Sequence, residues 1–228
     1  MDKIQIKPSE RAILYEMFAS LFLQTPTKEK IEGLPSIFEE ISEILPMIDL
    51  KSFGDSIKEL RDFKQEYYDH FFVPATKNYI PPYESAVIDA AIKSGDKKKK
   101  WKYGSLWTNS TYHVSMCYEA VGFNPFELQI EEGLKASKVP DHIGFELAFM
   151  GYLSLQEASY EEIPLEDRTK EDIENINKWD KLQEQFLKEH LQKFVSLYYE
   201  IAKEKFNPFY LQLLNILNSY IELDLKTK

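Results

Sequence analysis

A single cysteine, Cys117, leaves this chain of 228 residues without an internal disulfide or a multi-cysteine zinc or iron-sulfur centre, which points to a reducing compartment. Glycine is scarce too. Eight glycines stand against fifteen Phe and fourteen Tyr, a balance that suits long helices packed through aromatic rings and disfavours a turn-rich β protein. Positive charge is in deficit: the formal net charge of -10 argues against nucleic acid, whose phosphates need a net basic face, and favours a cationic partner. Long apolar runs are missing as well. Nothing approaches the roughly 20 uncharged apolar residues of a membrane span, and MDKIQIKPSE carries no apolar signal core. The expectation is a cytoplasmic protein with no stable membrane insertion.

What the chain does contain is helix after helix. Ser9 is placed to cap a first helix with Ile13, Leu14, Met17, Phe18, Leu21 and Phe22 on one stripe, closed by Pro26. A second helical region runs from Thr27 to Leu45, broken at Pro35. Asp55 is placed to cap a third that carries Ile57, Leu60, Tyr67, Tyr68 and Phe71. Pro74, Pro81 and Pro82 then interrupt the rhythm, since proline lacks the amide donor and restricts the residue before it. The lysine run of SGDKKKKWKYG reads as a solvated loop. A helix from Leu106 to Val121 should stop at Gly122; Asn124-Pro125 and Asn207-Pro208 each pair a capping side chain with proline at the first helical position. Thr169 and Asp172 form a capping box for a helix after the acidic stretch EEIPLEDRTKED. There is no internal repeat and no dividing linker. The expected architecture is all-α, a single-domain multi-helix bundle over residues 1–228.

The segment VPDHIGFELAFMGYL, residues 139 to 153, holds the chemistry. Pro140 suits a helix entry and Asp141 can oppose the helix dipole there. His142 and Glu146 then share one face of a helix that is apolar on most sides and therefore central. A buried carboxylate costs several kcal/mol unless it is paired or wet, so Glu146 needs a partner. Three readings follow. In the first, His142 and Glu146 pair at i,i+4 and Asp141 caps, all structurally. The second is a metal site, for which a third strong ligand is lacking: His70, His113 and His190 stand singly and no HExxH occurs. The third is a polar lip on an apolar peptide groove. The charge map favours it, because Lys138 and Arg168 bracket a stretch without Lys or Arg that holds Asp141, Glu146, Glu157, Glu161, Glu162, Glu166 and Asp167.

Three stretches, YDHFFVPATKNYIPPYESAV, VPDHIGFELAFM and FLKEHLQKFVSLYYEIAKEKFNPFYLQLLNIL, together resemble the TorD/DmsD/NarJ family of molybdoenzyme maturation chaperones. The resemblance spans residues 67 to 217. It implies an all-helical cytoplasmic chaperone, without catalytic chemistry or cofactor. Its partner would be the catalytic subunit of a molybdopterin oxidoreductase (molybdenum or tungsten), bound through an N-terminal leader or twin-arginine signal until cofactor insertion is complete. It also implies a peptide-binding surface at Pro81, Pro82, Tyr83, Glu84 and Ser85 with Pro140, Asp141, His142 and Glu146. Some members exchange helices between chains, which would make the 161 to 170 loop a hinge for a homodimer. The competing enzyme class is a helical metal-dependent hydrolase using Asp141, His142 and Glu146.

Overall fold

The computed structural model describes residues 6–42, 50–59, 62–93 and 103–228. Among them there is no strand; the chain is all-α. The helices are α1 (Pro8–Leu23), α2 (Lys28–Ile41), α3 (Leu50–Glu59), α4 (Phe63–Phe71), α5 (Glu84–Lys93), α6 (Asn109–Val121), α7 (Glu132–Ser137), α8 (Ile143–Ala158), α9 (Lys170–Phe186), α10 (Gln192–Ala202) and α11 (Pro208–Thr227). A π-helical turn, Leu187–Leu191, joins α9 to α10 without a break.

Helix α8 is central, as its apolar composition requires. It lies along α1 on one side and α9 on the other, burying Ile143, Phe145, Leu147, Phe149, Met150 and Leu153. Gly144 permits the close approach of α1: a Cβ there would stand 2.5 Å from Leu23 Cγ. Aromatic rings carry the rest of the core. Tyr15 meets Tyr220 edge-on at 5.1 Å, Phe38 meets Phe53 at 4.8 Å, and Phe53 meets Phe209 at 5.6 Å. Each such buried ring contributes about 1.5–3 kcal/mol through apolar burial. Under them Arg11 Nε donates to Asp224 Oδ1 at 2.7 Å and Tyr15 Oη donates to Asp224 Oδ2 at 2.7 Å, a buried charge satisfied from both sides.

Local signals read correctly at several termini. Asn207 accepts from the Tyr210 amide, Thr169 and Asp172 cap α9 reciprocally, and Gly122 ends α6 with φ 72. Four expectations are corrected. Pro35 lies inside α2 and does not break it, because Ile31, Leu34, Phe38 and Ile41 bury one stripe that outweighs a missing backbone bond. Helix α1 begins at Pro8, and Ser9 instead binds Glu161 across the molecule through its amide and hydroxyl, at 3.0 and 2.9 Å. Ile13, placed on the apolar stripe, is exposed. Asp55 sits within α3 and pairs with Lys58, while Asp62 caps α4, so the expected third helix is two. Leu45, Leu60 and the lysine run with Trp101 lie outside the described residues.

Candidate functional site

The two motif segments meet. Pro82 lacks an amide, but its carbonyl accepts from Ile143 N at 2.9 Å, and Glu84 N donates to the Asp141 carbonyl at 2.9 Å. These bonds make an isolated antiparallel bridge between Tyr83 and His142, at the entry of α5 and of α8. The side chains then cross over. Asp141 Oδ2 accepts from the Ser85 amide at 2.9 Å and from Thr111 Oγ1 at 3.1 Å, so it caps α5 and not the helix it precedes. That role on α8 falls to His142, whose Nδ1 accepts from Gly144 N at 3.1 Å. Tyr118 Oη closes the frame on the Pro140 carbonyl at 3.2 Å.

Burial corrects the expected groove lip. Pro81, Pro82, Tyr83, Glu84, Ser85, Pro140, Asp141, His142 and Glu146 are all buried, Asp141, His142 and Glu146 completely. Nor do His142 and Glu146 pair. His142 Nε2 and both Glu146 oxygens have no donor or acceptor opposite them. Burial drops the His142 pKa to about 3, so the ring is neutral and its Nδ1 lone pair is committed to the α8 amide. Burial, then the charges of Glu84 and Asp141, hold Glu146 well above the usual carboxylate range. Burial also raises Asp141, against the bonds from Ser85 and Thr111. This geometry does not favour a hydrolytic metal centre at Asp141, His142 and Glu146, since the cap occupies the only imidazole lone pair.

The acidic run from 141 to 167 is dispersed. Glu157 faces Arg11 and Lys228 at 3.6 and 3.7 Å, Glu161 is held by Ser9, and Asp141 and Glu146 are interior. It forms no continuous cleft.

A second cluster adjoins the frame. Glu84 Oε2 lies 2.8 Å from His190 Nδ1, and His190 Nε2 lies 2.8 Å from His113 Nδ1. Cys117 stands one turn beyond His113 on α6, and the ligand atoms of His113, Cys117 and His190 all lie within 4.8 Å of one another. Burial alone would lower the His190 pKa; hydrogen bonds to Cys117 and Glu84 and the Glu84 charge outweigh it and lift the value to about 9. His113 and His190 therefore do not stand singly. The spacing His113-x-x-x-Cys117 was visible as an i,i+4 pair on one helix face, whereas His190 comes to it from the π turn, 77 positions from His113.

This cluster opens into a groove of about 370 Å³ between α6 and α9, lined by Met116, Ala120, Val121, Phe149, Leu182 and Phe186, with His113, Cys117, Gln185 and Glu189. Met116, on its lining, is 64% exposed. No helix among the described residues is long and apolar enough to cross a membrane.

Comparison with curated proteins and with solved structures gives no match. The sequence pattern of the nitrate reductase delta subunit family, by contrast, runs from residue 33 to residue 200 and so takes in both bridged segments, the groove and the His113, Cys117 and His190 cluster. With most of the chain matched and an all-α fold beneath it, the protein belongs to the nitrate reductase delta subunit family, a family of maturation chaperones for molybdoenzymes.

Proposed function

We propose that this chain is a cytoplasmic assembly chaperone that binds the N-terminal leader of a molybdenum or tungsten oxidoreductase catalytic subunit and holds it until the cofactor is inserted. Family membership supports the chaperone role and a nitrate-reductase-type partner. One structural observation carries the leader reading: the bridged segments Pro81–Ser85 and Pro140–Glu146 hold α6 through Thr111 and Tyr118, and α6 walls a groove whose apolar lining, with exposed Met116, fits the greasy part of a leader. The motif residues act as the frame of this groove. The exposed carboxylate of Glu189 on its rim offers an acceptor to a leader arginine, whose forked donors match a carboxylate bidentately. No catalytic chemistry is assigned.

The test is the affinity of a leader peptide for full-length protein. Met116→Glu places a charge on an exposed apolar contact and should weaken binding at least tenfold without changing the melting temperature. Leu155→Glu, on a different exposed face, should change nothing. If the two variants bind equally well, the α6–α9 groove is not the leader site.

A further inference from the structure

Three residues that the frame does not use meet at the wall of the groove. His113 and Cys117 project from one face of α6, and His190 projects toward them from the π turn, with their ligand atoms within 4.8 Å of one another. The two rings lie nearly coplanar, at 26°, and aim nitrogen at nitrogen across 2.8 Å. Each ring has a carboxylate behind it. Glu84 Oε2 is 2.8 Å from His190 Nδ1, and Glu189 Oε2 is 4.0 Å from His113 Nε2.

We propose that His113, Cys117 and His190 form a binding site for a zinc-class divalent cation, with Glu84 orienting the His190 imidazole and a fourth coordination position open to the groove. The donor set fits that class: two imidazole nitrogens and one thiolate suit Zn²⁺, which tolerates mixed nitrogen and sulfur ligands in tetrahedral geometry, while hard oxygen-seeking cations are disfavoured. The second shell fits as well. A ligating histidine commonly donates its other N–H to a carboxylate, and the Glu84 contact fixes the His190 tautomer that leaves Nε2 free to ligate. Bond lengths of about 2.0–2.1 Å to nitrogen and 2.3 Å to sulfur set tetrahedral donors roughly 3.3–3.6 Å apart. His113 Nδ1 and His190 Nε2 must therefore part by about half an ångström, a movement the half-exposed His113 side chain can make. The cation would displace two protons to solvent, the one held between the two rings and that of the Cys117 thiol, which ligates as thiolate.

The open position faces the apolar groove, so an incoming side chain or water completes the shell. The inference does not rest on leader binding.

The experiment uses the full-length protein, stripped with a chelator and titrated with Zn²⁺ against a chromophoric competitor, then with Co²⁺ as a spectroscopic probe. The expected result is one zinc per chain, a rise in melting temperature on loading, and a cobalt spectrum with a thiolate-to-metal charge-transfer band. Cys117→Ser should abolish that band. His113→Ala, at a half-exposed position that leaves the metal-free fold intact, should weaken zinc by more than the roughly 10–100-fold typical of losing a second-shell partner, and Glu84→Gln by about that amount. Wild type that binds zinc no more tightly than His113→Ala and Cys117→Ser, or a cobalt spectrum without the sulfur band, overturns the site.

Discussion

The amide of Ser85 donates to Oδ2 of Asp141 at 2.9 Å, across 56 positions of sequence, in the buried interior. An aspartate that precedes one helix thus caps another. With the bridge between Tyr83 and His142 it locks the entries of α5 and α8 into a single unit, to which Thr111 and Tyr118 tie α6.

Asp141 is therefore a stability determinant before it is anything else. Asp141→Asn keeps an acceptor for the Ser85 amide, while Asp141→Ala leaves that buried donor bare at a cost of about 1–3 kcal/mol. Denaturant midpoints should rank wild type and Asn above Ala. An alanine variant as stable as wild type would show that the bond contributes nothing.

Glu146 gives a pH signature. Its folded pKa is raised above that of the unfolded chain, so its contribution to stability is fully present below about 4.3 and is lost as pH rises toward the folded value. In Glu146→Gln this loss disappears. As pH rises above about 4.3 wild type should fall relative to the variant, by at most about 1.4 kcal/mol per pH unit. Parallel stability curves would mean that the carboxylate ionises in place.

His142 works in the opposite direction. With a folded pKa of about 3, its contribution is full above the unfolded value near 6.5 and is lost as pH falls toward 3. His142→Asn retains a capping acceptor for the Gly144 amide without a titrating ring. The variant should be less stable at pH 7, where the lost ring packing tells, yet lose less on acidification to pH 4.5. Equal acid slopes in urea unfolding would remove His142 as a cause.

Gly144→Ala tests the contact between α1 and α8. Alanine favours a helix by about 1 kcal/mol over glycine, yet its Cβ would meet Leu23 Cγ at 2.5 Å. Overpacking typically costs about 1–3 kcal/mol, so the melting temperature should fall. A rise would mean that Leu23 moves aside freely.

Much of the secondary structure was legible because its causes are local. Asn207 lies three residues from the amide it caps, Thr169 three from Asp172, and Gly122 directly follows the helix it ends. The apolar wrap of VPDHIGFELAFMGYL likewise announced a central helix, and its lone glutamate announced a buried acid, because a hydrophobic surface wider than one stripe has to be covered on every side.

Partnership across the chain belonged to the tertiary structure. Pro35 is tolerated because the α2 stripe is buried elsewhere, and Asp141 serves α5 because the bridge to Tyr83 aims it there. The sequence by itself determined that the chain is all-α, which helix is central and that a histidine and two acids sit at its entry, since periodicity and capping act within about four residues. It did not determine what those groups face. That Glu84 meets His190, that His190 meets His113 beside Cys117, and that the expected lip is interior were decided only when packing set the phase of α6 against the π turn at Leu187–Leu191, because contacts between distant segments depend on how the helices pack and not on any local spacing.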